Sequence, residues 1–305
     1  MAYDVTNFSD YVARESSALT KTLFAGGSTG QFARFMTGVK GSTVVPHISG
    51  EATLQAGNCV TPSGDTVMNE VTLTVKPFTV FESFCSDDLQ TKLPNTVLAP
   101  GSNNGDDLPF EEEIINTKMA SIAKALEMTY WQGDTASGSY KLFNGFIKGI
   151  DGSGEAIDGN SSSATAITKA NVIGLVEDMR IEAPVDVKEN DGYVTLVGND
   201  TWDKYISALK TANLYHYNPE DAKAGVYDIG GGQGKLMKVR GLDATDRMFA
   251  SVASNFVVGT DLENESEVAD VFYDKVSDKV MIRVKAKAGV AIANADEIVE
   301  FTLSA

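Results

Sequence analysis

Histidine and cysteine are scarce in this sequence, and their scarcity limits the chemistry that the protein can perform. The only histidines are His47 and His216, and the only cysteines are Cys59 and Cys85. No H-E-x-x-H, G-x-S-x-G, C-x-x-C or EF-hand spacing occurs, and the two cysteines form no metal-binding or disulfide pattern. Paired carboxylates are present, but helix starts and turns attract such residues without any catalytic role. We therefore predict that the protein is not an enzyme and holds no metal or cofactor.

Long apolar runs are absent as well. No run approaches the roughly 18 residues that a membrane-spanning helix needs. The first residues, MAYDVTNFSDYVARESS, lack the positive start and apolar block of a secretory signal. With 305 residues, of which 43% are hydrophobic, the chain can form one large or two ordinary cores. These features predict a soluble globular protein of a reducing cytoplasm, without a membrane partner.

Cationic side chains are outnumbered in this protein. The chain has 25 lysines and arginines against 42 aspartates and glutamates, which makes the formal charge −17. Sequence-independent binding of nucleic acid draws its affinity from cationic side chains on phosphates, so this balance argues against a surface that grips DNA. Acidity of this kind favours solubility and limits adhesion to other macromolecules.

Glycine, in contrast, is concentrated in one segment, YDIGGGQGKLMKV at residues 227–239. Four glycines lie within five positions, at Gly230, Gly231, Gly232 and Gly234. A phosphate-binding P-loop needs glycine at the position of Ile229 and serine or threonine at the position of Leu236, and neither requirement is met. The segment also opens no obvious amphipathic helix, which the dinucleotide pattern requires. We predict a loop that is not a nucleotide site.

The first part of the chain predicts an arm followed by a long β-hairpin. Residues 1–40 are punctuated by glycine, and their scattered aromatic residues are too discontinuous for one compact core. From residue 41 to about 84, strand patterns flank the turn-forming tip NCVTPSGD, and Val71, Leu73 and Val75 alternate with polar residues. A two-stranded arm is marginal alone in water, which suggests that it rests on a neighbouring subunit.

The clearest helix is predicted in LPFEEEIINTKMASIAKALEMTYWQGD, residues 108–134. It would be about 22 residues and roughly 33 Å long, with Pro109 in its first turn. Its apolar residues recur at helical intervals in one stripe, namely Ile115, Met119, Ile122, Leu126 and Tyr130. We interpret this stripe as a face of the core.

A pattern of alternating helices and strands follows a polar connector at residues 151–163. Two amphipathic helices, in TKANVIGLVEDMRIEAP and NDTWDKYISALK, flank the predicted buried strand GYVTLVG. A late strand, VMIRVKAKAGV, alternates apolar residues with a basic row on one face, Arg283, Lys285 and Lys287. The acidic segment DLENESEVAD, residues 261–270, has three glutamates that would share one face if it is extended, Glu263, Glu265 and Glu267.

In this order of elements the chain resembles the major capsid protein of tailed bacteriophages, with the Hong Kong 97-like fold. The resemblance lies in the succession of arm, hairpin, long helix ending in YWQGD, LFNGF, VTLVGNDTWDKYISALK, the glycine segment before VRGL, MFASVASNFVVGTDL and VMIRVKAKAGVAIANADEIVEF. It covers essentially the whole chain and implies an α+β fold. It also implies four parts: an N-terminal arm at 1–40, an extended hairpin loop at 41–80, a peripheral domain with the spine helix at 81–163 (completed by a strand near 271–290), and an axial domain at 164–270 (completed by 291–305).

The resemblance implies a structural function. Such a protein self-assembles into hexamers and pentamers of an icosahedral head that encloses the phage DNA without sequence-specific binding. It would be assembled in the host cytoplasm, reside in the virion, and have scaffolding, portal and possibly decoration or cement proteins as partners. The glycine segment would approach the capsomer axis, where glycine tolerates crowding by five or six copies. Two alternatives stay open: an encapsulin-type cargo shell, and an acidic soluble ligand-binding enzyme.

Three interpretations of the charged segments are possible. The basic row and the acidic segment can be two solvated faces that never meet, since exposed charge pairs contribute only about 0.2–1 kcal/mol each. Alternatively, the acidic segment of one subunit meets the basic row of the next around a capsomer. A third interpretation, in which the basic row faces packaged DNA, is weakened by the neighbouring acids.

Overall fold

The computed structural model describes residues 16–51, 54–57, 65–85, 109–212, 225–229, 234–262, 269–277 and 279–304. Its helices are α1 (Ser16–Ala25), α2 (Pro109–Gln132), α3 (Phe146–Ser153), α4 (Val172–Glu182), α5 (Val185–Lys188) and α6 (Asn199–Thr211). Its strands are β1 (Arg34–Thr37), β2 (Ser42–Glu51), β3 (Asp65–Thr74), β4 (Lys76–Cys85), β5 (Ile157–Asp158), β6 (Tyr193–Val197), β7 (Val226–Asp228), β8 (Lys235–Lys238), β9 (Met248–Val252), β10 (Phe256–Leu262), β11 (Ala269–Asp274), β12 (Lys279–Ile292) and β13 (Val299–Phe301). Short 3₁₀ helices cover Ser28–Gln31, Arg240–Leu242, Ala253–Asn255 and Ala295–Glu297. The predicted α+β class is confirmed.

Helix α2 is the long helix that the sequence predicts. Pro109 is its first residue, where the missing N–H of proline costs no intrahelical hydrogen bond. The predicted stripe from Ile115 to Tyr130 is buried throughout and packs in the largest apolar cluster of the described residues. The interpretation of this stripe as a face of the core is therefore confirmed.

A five-stranded sheet is organised around β12. Strand β4 pairs antiparallel with one edge of β12, while β10 and β11 pair with successive parts of the opposite edge, and β1 adds to β10 in parallel. The predicted alternation of β12 is confirmed, because its inward residues are buried on the α2 side: Val280, Ile282, Val284, Ala286 and Ala288.

A six-stranded sheet has the order β5-β13-β9-β6-β8-β7. Strand β6 is buried along its whole length because both faces of the sheet are covered. On one face Val194 and Leu196 join the cluster that contains α2, and on the other Tyr193 and Val197 pack in the cluster that contains α4 and α6. This double coverage explains why GYVTLVG has a nearly continuous apolar pattern.

Residues 16–40, which the sequence assigns to an arm without a compact core of its own, pack into a core that other segments form. Leu19, Leu23 and Phe24 of α1 are buried in the cluster that contains α2, and β1 pairs with β10. The physical reason is that these apolar residues complete a core formed by remote segments and need not form one of their own. Residues 1–15 lie outside the described part.

The predicted hairpin consists of β2 and β3, paired from Ser42 with Thr74 to Glu51 with Asp65. Residues 52–53 and 58–64 of its tip lie outside the described residues. Strand β4 joins the five-stranded sheet from Lys76 onwards, although the sequence assigns residues up to 80 to the extended loop. The four-part division of the chain stays a prediction.

Candidate functional site

The hairpin has two different faces. Residues that are directly paired across β2 and β3 point to the same side, so one face contains Val45 and Leu73 and the other contains Val44, Ile48 and Met68. Val45 and Leu73 are fully buried, whereas Val44, Ile48 and Met68 are 45%, 62% and 72% exposed. Ile48 and Met68 are direct cross-strand partners. The hairpin therefore presents an apolar stripe, Val44, Ile48 and Met68, to solvent.

The inner face of the hairpin packs on two glycines of the five-stranded sheet, Gly259 and Gly289, which we call the glycine seat. Gly259 of β10 and Gly289 of β12 are directly paired. A Cβ at Gly289 would lie 2.2 Å from the carbonyl oxygen of Thr74, and a Cβ at Gly259 would lie 2.8 Å from Cδ2 of Leu73. Only glycine allows this close approach, so the glycine pair fixes where the hairpin crosses the sheet.

The predicted basic row lies on the outer face of β12, where two of its members are paired within the chain. Arg283 bonds to Asp270, its direct partner in the register of β11 and β12. Lys287 Nζ lies 3.1 Å from Asp261 Oδ2, and these residues are direct partners in the register of β10 and β12. The antiparallel register thus places Asp261 and Asp270 opposite bases of their own chain. A contact between the basic row and a neighbouring subunit stays a prediction.

The three glutamates of the acidic segment, Glu263, Glu265 and Glu267, lie outside the described residues. Leu262 of β10 pairs with Ala286 and Ala269 of β11 pairs with Val284, so the two described ends of the acidic segment belong to different strands. An intersubunit role for these glutamates remains a prediction.

An aromatic pair lies beside the basic row. Phe81 of β4 is 57% exposed and stacks on Phe272 of β11 with ring centroids 6.4 Å apart. The Arg283 guanidinium lies 5.6 Å from the centroid of the Phe272 ring. The sequence analysis did not identify this patch, because Phe81 and Phe272 become neighbours only when β4 and β11 pair with opposite edges of β12.

The glycine segment connects two antiparallel strands. Gly230, Gly231 and Gly232 lie outside the described residues, whereas Gly234 is packed so closely that a Cβ would lie 2.9 Å from the Tyr193 ring. The N–H of Ile229 donates to the carbonyl of Gly234 at 3.1 Å. The following residue, Lys235, begins strand β8. A phosphate loop would lead into a helix N-terminus, whereas this segment leads into a strand.

A buried carboxylate joins three remote segments, and the sequence analysis did not identify it. Glu127 of α2 is 1% exposed and accepts hydrogen bonds from Thr29 N at 3.1 Å and Thr29 Oγ1 at 2.7 Å. Trp131 Nε1 donates to the same Thr29 hydroxyl at 2.8 Å. A Cβ at Gly241 would collide with the Trp131 ring, at 2.1 Å from Cδ1. Burial raises the pKa of the Glu127 carboxyl, and the Thr29 hydrogen bonds oppose that rise.

Charged side chains that line one cavity in the described part of the chain form ion pairs with one another. This cavity, of about 300 Å³, is lined in part by α3 and the end of α2. Lys148 lies 3.3 Å from Asp134, and Arg247 lies 2.7 Å from Asp151. Within the described ranges, no cluster of His, Cys, Asp and Glu is arranged to bind a metal. In the same part of the chain, no helix is long and apolar enough to cross a membrane.

Solved structures share this architecture. A chain from the satellite phage P4 procapsid, which includes the size determination (Sid) protein, is 12% identical with a TM-score of 0.61, covering 94% of this chain and 90% of that one. The capsid of an empty GTA particle is 11% identical with a TM-score of 0.61, covering 92% and 90%. Microbacterium phage Oxtober96 is 13% identical with a TM-score of 0.54, covering 91% of each chain.

This chain has the fold of phage capsid proteins. No protein-family model matches it, and no curated protein matches it. At identities of 11–13% the likeness lies in the path of the backbone. The capsid fold therefore accounts for the architecture of the chain.

Proposed function

We propose that the protein is the major capsid protein of a tailed bacteriophage, a Hong Kong 97-like subunit that assembles into hexamers and pentamers of an icosahedral head. The observation that carries this proposal is the extent of the capsid fold, which spans 94% of this chain and 90% of the P4 procapsid chain. A likeness of this extent includes both sheets and α2, so it does not depend on one recurrent motif.

The hairpin supports self-assembly. Its outer stripe, Val44, Ile48 and Met68, is an apolar surface on a projecting two-stranded element. Complete burial of such a side chain is worth about 1.5–3 kcal/mol, so docking of the stripe on a second copy would be favourable. Repetition of this contact around a closed ring is the arrangement that heterologous interfaces produce. We infer that the hairpin ties neighbouring subunits together.

The remaining assignments follow from the proposed shell. Residues 41–80 would form the extended loop, 81–163 the peripheral domain and 164–270 with 291–305 the axial domain. The glycine segment would face the capsomer axis. The shell would enclose DNA without sequence-specific contacts and reside in the virion after assembly in the host cytoplasm. Its partners would be scaffolding and portal proteins, with a decoration or cement protein as an optional addition. Its function would lie in self-association and not in catalysis.

The direct test is negative-stain electron microscopy of the purified full-length protein, with size-exclusion chromatography. We expect rings of five or six subunits or closed shells, alone or after coexpression with a scaffolding protein. A protein that stays monomeric under all of these conditions and binds a small ligand would contradict the proposal. Shells that contain a cargo enzyme instead of DNA in infected cells would identify an encapsulin-type compartment.

A further inference from the structure

His47 lies at the position along the hairpin where packing on the five-stranded sheet of the same chain ends. The hairpin base, Val45, Leu73 and Val75, is buried on the five-stranded sheet. Two residues beyond Val45 on the same face, His47 Nε2 lies 3.1 Å from Asn294 Nδ2 and 4.0 Å from Glu297 Oε1. At the next described position outwards on β3, Val67 is exposed. From the base of the hairpin towards its tip, the inner face is thus first apolar and buried, then makes the polar contact of His47, and then becomes exposed.

The partners of His47 belong to a well-fixed turn. The side chain of Asn255, which is 4% exposed, accepts from the N–H of Asn294 at 2.8 Å and donates to the carbonyl of Asn294 at 2.9 Å. The same amide donates to Ser251 Oγ at 3.0 Å and to Glu297 Oε2 at 3.4 Å. Because these bonds hold the turn from inside, we expect a change in its contact with His47 to affect the hairpin more than the turn.

The contact depends on the protonation of His47. With the Asn294 amide nitrogen as donor, Nε2 accepts in this contact, an arrangement that requires a neutral imidazole with its proton on Nδ1. A second proton would place an N–H on Nε2, opposite another donor. Among the described charged groups of the turn, the Glu297 carboxylate faces the ring, while Asp296 is exposed. Asn69, the strand partner of His47, is neutral.

Protonation of His47 would therefore replace its neutral hydrogen bond to Asn294 by a stronger, charge-assisted interaction. A charged ring would reorient towards Glu297, or the Asn294 amide would turn to offer its oxygen, and both changes keep the hairpin in contact with the turn. The side chains of His47 and Glu297 are 20% and 34% exposed, so solvent screens the ion pair only in part. A charge-assisted hydrogen bond is stronger than the neutral one that it replaces.

We propose that His47, Asn294 and Glu297 form a proton-dependent latch. The latch holds the hairpin on its own subunit when His47 is protonated and leaves the hairpin freer to move when His47 is neutral. Its use in assembly rests on the proposed function, because a hairpin that ties subunits together must be positioned before it docks. Its physical behaviour is a property of the single chain and can be measured separately.

The test is hydrogen exchange of the full-length wild-type protein at about pH 5.5 and about pH 8, where histidine is largely charged and largely neutral. After correction for intrinsic exchange rates, we expect amides of residues 42–51 and 65–74 to be about two- to fivefold better protected at the lower pH, as a partly exposed ion pair allows. His47→Gln and Glu297→Gln should each abolish this difference. Amides in the middle of β12 serve as the internal reference.

The matched control is His216→Gln, which removes the only other histidine and should keep the pH effect. An unchanged pH effect in His47→Gln, its loss in His216→Gln, or no pH effect in the wild type would each overturn the latch. Shells that form normally without the pH effect would refute the latch alone. A normal pH effect in a protein that never assembles would refute only the proposed capsid function.

Discussion

Glu127 provides the sharpest test of how remote segments are joined to α2. In Glu127→Ala the main-chain N–H and hydroxyl of Thr29 lose their buried acceptor. Each unsatisfied buried group costs about 1–3 kcal/mol, and the cavity left by the side chain adds to this cost. We expect Glu127→Ala to lower the free energy of unfolding by about 3–5 kcal/mol.

Glu127→Gln separates the hydrogen bonds from the charge. Glutamine keeps the volume and one oxygen that can accept from Thr29, so we expect a loss of about 1 kcal/mol or less at neutral pH. Because burial raises the pKa of Glu127 above its ordinary value of 4.5, the folded chain binds more protons than the unfolded chain between that value and the folded pKa. The stability of the wild type therefore falls as pH rises through this window, and the glutamine variant should lack that component.

Denaturant unfolding at about pH 5 and about pH 7, followed by the fluorescence of Trp131 and Trp202, measures both effects. Glu182→Ala is the matched control, since Glu182 is exposed on α4 and its loss should cost less than about 0.5 kcal/mol. A Glu127→Ala variant as stable as this control would refute the stabilising role of Glu127. A glutamine variant as unstable as the alanine variant would also refute it, because the retained hydrogen bonds would then contribute nothing.

Three further changes test the hairpin and the charge pairs. Deletion of residues 55–66 should leave a folded, soluble subunit, because the hairpin base is kept, but should prevent closed shells in electron micrographs. Gly289→Ala should displace the hairpin from the glycine seat, because the new Cβ would clash with the Thr74 carbonyl oxygen. We expect faster proteolysis within residues 42–74 of this variant. Arg283→Asp should lower stability by only about 0.2–1 kcal/mol, because the side chains of Arg283 and Asp270 are 40% and 45% exposed, and Asp270→Arg in the same chain should restore it.

Each of these changes has its own control. An unfolded deletion product would show that the hairpin tip belongs to the subunit core. Gly152→Ala is the matched glycine substitution, because nothing lies within 4 Å of a Cβ at that position. If Gly152→Ala accelerates proteolysis of the hairpin as much as Gly289→Ala does, the clash at the glycine seat is not the cause of that proteolysis. If the Arg283 and Asp270 double reversal gains nothing over the single one, the two residues are not coupled within the chain.

Local periodicity explains what could be predicted from the sequence. The stripe from Ile115 to Tyr130 has the period of a helix, and the alternation from Val280 to Ala288 has the period of a strand, so each reports its own buried face. The rejection of a P-loop also depended only on spacing within a few residues. Features of this kind are set by neighbours in sequence and need no knowledge of tertiary structure.

The parts that could not be predicted depend on long-range contacts. Thr29 and Glu127 are 98 residues apart, and nothing in either segment marks them as partners. The pairing of Arg283 with Asp270 requires the register of β11 on β12, which a shift of one residue would destroy. For the same reason the acidic segment looked continuous in sequence, although its two ends belong to different strands.

The two faces of the hairpin connect the fold with the proposed assembly. Alternation along a strand allows each face to meet a different surface, and here the inner face is complementary to a glycine pair in its own subunit. The outer face carries Ile48 and Met68 as a cross-strand pair, which favours burial as strongly as the inner residues do. One sheet of a single chain cannot bury both faces of a projecting hairpin. A second copy that covers the outer face would bury the remaining apolar side chains. Burial of apolar surface then stabilises both the packing within the subunit and the proposed contact between subunits.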